Sequence, residues 1–338
     1  MKTKGFGTKY DKFYATIVTP YKDNYDVDQA ALRKFLKYFM QPSFIKIGGG
    51  IIVNAQAGEL DHLSREEKKR NVEIAMDVCG GKLPVFSGVG GIRTEEVIQT
   101  ALDVKEVGAD GIMLFSPIGG AMAGWDPEIY PEIWMDYAHA ICNAVPDMPV
   151  IGHGVSSHHP LWGIGLPQNI SVRTCKEIPQ IIGWKMVYSL ESHPIIAKAL
   201  RSLDTHVGIF EAPGLYFHTS YSLGIIDGSV SGSWNYALEP MINHIQAWQN
   251  KDIDEARRIW HGGLENLHEY IYVPIARLHS KYKIAAWLRG LIPNPFMRPP
   301  LPRPRQAAVQ AIKDRLVNCG LNVIPEKDIK KVTSQLLP

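Results

Sequence analysis

Lys185 lies in Ile181-Ile182-Gly183-Trp184-Lys185-Met186-Val187, a short apolar run that reads as a buried strand. A lysine is almost never buried unless its charge is compensated. The usual compensation is loss of the proton, because desolvation lowers the amine pKa. A neutral amine in a dry pocket attacks carbonyl carbon, which is the chemistry of Schiff-base enzymes. The alternative is a lysine at a strand end that snorkels its ammonium to water. The local pattern leaves both open.

Two other stretches carry chemical potential. Gly152-His153-Gly154-Val155-Ser156-Ser157-His158-His159 holds three imidazoles within seven positions. A zinc site needs such ligands on one face, commonly with another element contributing. His153 ends an expected strand whereas His158 and His159 fall in an expected loop, so a metal is not expected. A histidine within reach of the lysine would instead carry protons near neutral pH. The second stretch, Asn54-Ala55-Gln56-Ala57-Gly58-Glu59, runs from an expected strand toward a helix. Backbone N–H groups in such a tight turn make an anion nest, able to hold a carboxylate. An ordinary strand-to-helix connection would have the same composition.

The elements that must position these residues alternate along the chain. Strands are expected at residues 14–18, 50–54, 84–89, 110–115, 149–153, 181–187, 207–211 and 228–233. Helices are expected between them at 28–40, 64–78, 94–107, 127–145, 171–177 and 193–202, with another from about 238. The second of these opens on Ser64-Arg65-Glu66-Glu67, a capping box. Eight strand–helix units predict a closed parallel (β/α)8 barrel, a TIM barrel, over residues 10–236. An open doubly wound sheet is disfavoured, since no glycine cluster has the GxGxxG spacing. Beyond residue 236 the strand pattern stops. Segments 238–249, 252–272, 281–289 and 305–319 read as a C-terminal helical extension, 237–338, packed on the barrel. Barrel enzymes work at the carboxyl ends of their strands, where Lys185, His153 and the 54–59 loop would converge.

Composition narrows the function classes. The chain has 338 residues, 45% of them apolar and 21% charged, with a formal net charge of +2. That balance offers no electrostatic case for nucleic acid or a membrane surface. No apolar run is long enough for a membrane span. Four scattered cysteines without a CxxC pair suit free thiols in a reducing compartment, so a cytoplasmic location is expected.

The ordered motifs resemble the dihydrodipicolinate synthase/N-acetylneuraminate lyase family of pyruvate-type class I aldolases, over roughly residues 13–320. The carriers are Val18-Thr19-Pro20, Ala55-Gln56-Ala57-Gly58-Glu59 in place of G-[ST]-T-G-E, and Gly108-Ala109-Asp110-Gly111. Ile182-Gly183-Trp184-Lys185 stands for G-x-K, Asp227-Gly228-Ser229-Val230-Ser231-Gly232 for the eighth strand, and Asn294-Pro295 for the C-terminal turn.

The resemblance implies that Lys185 forms an imine with pyruvate or a related 2-oxo acid, with no separate cofactor. It implies a carboxylate nest at Gln56 and Ala57, and Asn54, Tyr188 and Ser231 near the substrates. It also implies a homo-oligomer, a tetramer or a dimer.

The departures are as informative. The family's fifth-strand tyrosine, in Y-N-x-P, is replaced by His153, which becomes the expected proton carrier. The hydroxyl side chains of the second loop are absent. Ser116-Pro117-Ile118-Gly119-Gly120 has no phenol to reach a neighbouring subunit, and His158 stands near the synthase's substrate-binding arginine. The expectation is therefore a Schiff-base aldolase or lyase that is not dihydrodipicolinate synthase itself. It would act on a 2-oxo acid and an aldehyde, by cleavage or condensation, as a sugar-acid aldolase or a hydratase-aldolase does, with Trp125 and Trp162 beside the aldehyde. The alternatives are a catalytically altered member that binds or senses a 2-oxo acid, and a metal-dependent hydrolase built on His153, His158 and His159.

Overall fold

The computed structural model describes residues 6–117 and 125–337. Eight parallel strands close into a barrel: β1 (Phe13–Thr16), β2 (Gly49–Val53), β3 (Val85–Val89), β4 (Gly111–Phe115), β5 (Val150–His153), β8 (Ile181–Met186), β9 (Gly208–Glu211) and β10 (Gly228–Ser231). The ring runs β1-β10-β9-β8-β5-β4-β3-β2, every pair parallel. The remaining two strands, β6 (Val155–His159) and β7 (Gly163–Gly165), form a separate antiparallel hairpin between β5 and β8. The sequence pattern predicts a loop there, and the hairpin replaces it.

Alternation along each strand sorts the side chains. Tyr14, Ile52, Phe86, Met113, Ile151, Ile182, Phe210 and Val230 fill the barrel interior as one buried cluster. Phe13, Ile51, Val85, Ile112, Val150 and Ile209 belong to the larger cluster that also takes in the surrounding helices.

Helices follow the strands: Gln29–Tyr38, Arg65–Cys79, Thr94–Val107, Glu132–Ala144, Gln168–Glu177, His193–Arg201, Phe217–Ser222 and Trp234–Gln249. Ser64 and Glu67 form the expected capping box. The eighth of these helices runs across the expected domain boundary at residue 236, so the appended helices start at Ile253. The expected helix over 252–272 is three pieces, Ile253–Ile259, a π-turn at Trp260–Leu264, and Glu265–Tyr272. Gly263, at φ 130°, adopts a backbone that other residues resist and breaks the α-ladder there. Leu278–Leu288, Gln306–Asn318 and Glu326–Thr333 complete the region, the last of them not expected from the sequence. Among the described residues no helix is long and apolar enough to cross a membrane.

The C-terminal helices are pinned to the barrel by charge pairs. Lys283 Nζ lies 2.5 Å from the Glu59 carboxylate, both side chains buried. Arg298 grips Glu67 with both terminal nitrogens, at 2.7 and 2.8 Å, and its backbone N–H donates to Glu59 at 3.0 Å. These ties hold the loop after β2 against the appended helices.

Candidate active site

A bulge aims Lys185. Val150 of β5 faces Ile181 while Ile151 faces Gly183, so β8 carries one extra residue at Ile182. The phase of the strand shifts by one at this point. A Cβ on Gly183 would sit 2.1 Å from the Phe210 ring, so the bulge requires glycine there. Beyond the shift Trp184 and Met186 pack in the outer cluster. Lys185 between them lines a cavity of about 560 Å³ at the carboxyl ends of the strands.

No described residue offers Lys185 Nζ an ion pair, and burial alone lowers its pKa to about 7. Near neutrality a large fraction of the amine is therefore the free base. On β5, Ile151 faces the interior and His153, two residues on, does the same. Its ring stands edge-on to Phe115 with centroids 4.6 Å apart, and its Nδ1 is buried without a hydrogen-bond partner. Burial, then the charges of Lys185 and His279, hold His153 well below the ordinary imidazole range, so it is neutral at pH 7.

The 56–58 turn is a short 3-10 helix at the cavity wall. Gly58 N–H donates to Ala55 O and Glu59 N–H to Gln56 O. The N–H groups of Gln56 and Ala57 have no acceptor among the described residues, leaving two backbone donors at the start of the turn.

A model of the dihydrodipicolinate synthetase family matches residues 9–318. The chain belongs to this family. It is 23% identical, over 95% of its length and 99% of the relative's, to a 4-hydroxy-tetrahydrodipicolinate synthase of Methanopyrus kandleri. It is 26% identical, over 84% of its length and 90% of the relative's, to an uncharacterized DapA-like lyase of Pyrococcus abyssi. Among solved structures, a sialic acid aldolase of Ruminococcus gnavus superimposes with a TM-score of 0.76 at 21% identity, covering 96% of this chain and 99% of the other. YagE, an E. coli K12 prophage protein crystallised with pyruvate, gives 0.76 at 19%, covering 92% and 98%. At these identities the structural likenesses establish the fold.

Within this family member the structure separates lining residues from scaffold. Lys185, His153, Gln56, Ala57 and Tyr188 all line the one cavity. Asn54 does not. Its left-handed backbone, φ 55°, turns the side chain away from the interior. There Nδ2 donates to Lys68 O and Ser87 Oγ, and Oδ1 accepts from Asn71. Asn54 fastens the helix Arg65–Cys79 to the barrel and is not a substrate contact. Tyr188 presents ring but not hydroxyl, since its OH is bonded to Ser171 Oγ and Trp184 Nε1, both at 2.9 Å. Ser231 stands one layer back, 3.0 Å from Tyr272 OH, while its neighbours Val230 and Gly232 reach the cavity.

The tryptophans expected beside the aldehyde line no part of this cavity. Trp125 is buried with its Nε1 donating to Tyr130 O, and Trp162 stacks on His159. The expected loop without a phenol after β4 lies mostly outside the described residues, which there end at Pro117.

The three histidines of the metal alternative do not converge. His153 is interior, and His158, exposed on the hairpin, lines the same cavity from the hairpin side of its wall. His159 accepts from the N–H groups of Leu161 and Trp162. Among the described residues no group of three metal-ligating side chains forms.

Sequence reasoning missed one wall entirely. Tyr272, His279 and Tyr282 enter the cavity from the C-terminal helices. Tyr282 OH donates to Tyr272 OH at 2.7 Å, and Tyr272 OH donates to Ala212 O at 3.2 Å. The i, i+3 spacing of His279 and Tyr282 on one helix was the only available signal. A larger groove of about 680 Å³, lined by Arg65, Lys68 and Glu95 among others, lies away from Lys185 and shares none of this chemistry.

Proposed function

We propose that this protein is a class I aldolase or lyase that binds pyruvate or a related 2-oxo acid as an imine on Lys185. The observation that carries the reading is an unpaired, desolvated amine opening into a cavity at the carboxyl end of a family barrel. The free amine attacks the keto carbon, water leaves, and the resulting iminium accepts electrons from a bond beta to it. A C–C bond can then break or form through the enamine. His153, neutral and with a free ring nitrogen, carries the proton between the methyl carbon of the imine and the enamine. The backbone N–H groups of Gln56 and Ala57 hold the substrate carboxylate. No cofactor is required beyond the covalent imine. The family relationship further suggests a cytoplasmic homo-oligomer, a tetramer or a dimer.

The test is borohydride reduction in the presence of pyruvate, followed by peptide mass spectrometry. A pyruvyl adduct on Lys185 is expected. Its rate of formation at low pyruvate should rise with pH up to about 7, where the amine becomes mostly free, and then level off. An unmodified Lys185 would overturn the reading. Saturable pyruvate binding that survives Lys185→Ala would make the protein a 2-oxo-acid binder instead.

A further inference from the structure

We propose that the outer half of the Lys185 cavity is an acceptor subsite for an uncharged, apolar aldehyde, and that His279 exchanges the proton on that aldehyde's oxygen. The inference rests on the Schiff-base reading of Lys185 and adds to it the class of second substrate and a second proton carrier.

The cavity has two unlike halves. Its inner part holds the reactive amine, His153, Thr16 and the N–H groups of the 56–57 turn. Its outer part is bounded by the β6–β7 hairpin and by residues 272–279, with Ile164, Leu215, Val273, Ile275 and Leu278 in the wall. Val273 and Ile275 remain 63% and 65% exposed, so the apolar surface continues out to the rim. Apart from Lys185, no described lining residue is an arginine, lysine, aspartate or glutamate. A carboxylate-bearing aldehyde would give up its hydration here without an arginine or second lysine to match it, and a polyhydroxylated one would find only His158, Tyr216 and His279 unspent, which is costly. An apolar one gains about 25 cal/mol for each Å² it buries.

Three polar side chains of the outer wall are unspent: His158, Tyr216 and His279 make no side-chain hydrogen bond with any described residue. The phenols of Tyr272 and Tyr282 are bonded to each other, and Tyr272 also to Ser231 and Ala212 O. His279, in the first turn of Leu278–Leu288, makes no hydrogen bond with any described residue although it lines the cavity. It lies close enough to Lys185 for the amine's charge to act on it, and burial with that charge lowers it to about 4. A bound carboxylate opposes the cation and raises it again.

In condensation the enamine carbon attacks the aldehyde carbon and a C–C bond forms. The carbonyl π pair moves to oxygen, which takes the proton from protonated His279, the form that the bound substrate carboxylate favours. Water then hydrolyses the iminium, releasing a 4-hydroxy-2-oxo acid and the free amine, and His279 regains its proton from solvent at the rim. Cleavage is the reverse, with neutral His279 accepting the hydroxyl proton. His153 serves the nucleophilic half and His279 the acceptor half.

The experiment uses the full chain with pyruvate and four aldehydes: benzaldehyde, hexanal, glyceraldehyde and glyoxylate. It measures adduct formation, borohydride trapping, and exchange of the pyruvate methyl protons in D2O. Benzaldehyde and hexanal should exceed the other two at least tenfold in kcat/KM. His279→Ala and His279→Gln should lose about 10²-fold in adduct formation, the usual worth of one acid–base group. Both should keep wild-type trapping and proton exchange. The subsite is overturned if the polar aldehydes react as well, if no aldehyde of the panel reacts, if the variants condense normally, or if they lose trapping along with condensation. A wild-type chain that cannot be trapped overturns the Lys185 reading and this inference together, which distinguishes the two failures.

Discussion

Replacing the nucleophile should make the protein more stable. An amine lowered from 10.5 to about 7 is one whose protonated form the fold disfavours. Each pH unit of displacement is worth about 1.4 kcal/mol, so the folded state forgoes roughly 5 kcal/mol relative to an unfolded chain whose lysine stays charged. Between pH 7 and 10.5 the unfolded chain holds a proton that the folded one lacks, so stability rises with pH across that window. Above 10.5 both states are neutral and the penalty vanishes. Below 7 it is constant.

Lys185→Met keeps most of the aliphatic volume and removes the charge. Its expected gain is about 3–4 kcal/mol at pH 7.5, falling to about 1.5 kcal/mol at pH 9.5. His153 and His279 feel the lysine charge, but both lie below the imidazole range and stay neutral throughout these pH values. They therefore drop out of the difference between the two proteins. Urea midpoints of wild type and variant at the two pH values are the assay. A variant no more stable than wild type at pH 7.5 would refute the desolvated amine. So would a gain that does not shrink as the pH rises.

Two further substitutions probe the frame. Glu59→Gln leaves Lys283 buried without its partner. The usual loss on breaking such a pair is about 3–5 kcal/mol. Because Glu59 follows the 56–58 turn directly, KM for the 2-oxo acid should rise while trapping at saturation persists. A variant as stable as wild type would show the pair to be incidental. Tyr188→Phe removes a hydroxyl held by Ser171 and Trp184, stranding the indole N–H at a cost of about 1–3 kcal/mol. Its kcat/KM should stay within about twofold of wild type. Loss of activity at unchanged stability would mean that the phenol meets substrate after all.

The barrel and its lysine were legible because strand runs such as Gly111–Phe115, and Ile181–Met186 apart from Lys185, are apolar, the mark of strands covered on both faces. Charge inside such a run stands out without any structure. The β6–β7 hairpin was not legible. Val155–His159 is polar and half wet, so no apolar alternation marks it. Asn54 shows a different limit. Counting alternate residues from Ile52 points its side chain into the barrel, and only the positive φ reveals that it turns outward to Ser87 and Asn71. The missed wall of Tyr272, His279 and Tyr282 has a third cause. Those residues sit on helices whose approach to the barrel mouth depends on ties such as Lys283–Glu59, which join positions more than two hundred residues apart.

The bulge on β8 shows how closely the chemistry depends on local backbone. Without the extra residue at Ile182, strict alternation from Ile182 would turn Trp184 inward and Lys185 out among the helices. The amine would then meet an apolar layer in place of a cavity. Glycine at 183 is what lets the strand pass Phe210 at the shift, since any Cβ there would collide with the ring. Gly152 across the sheet leaves room for the Trp184 ring on the outer face, where a Cβ would stand 2.5 Å from it. The position of the reactive nitrogen thus follows from two missing side chains and one inserted residue, and no property of the lysine itself sets it.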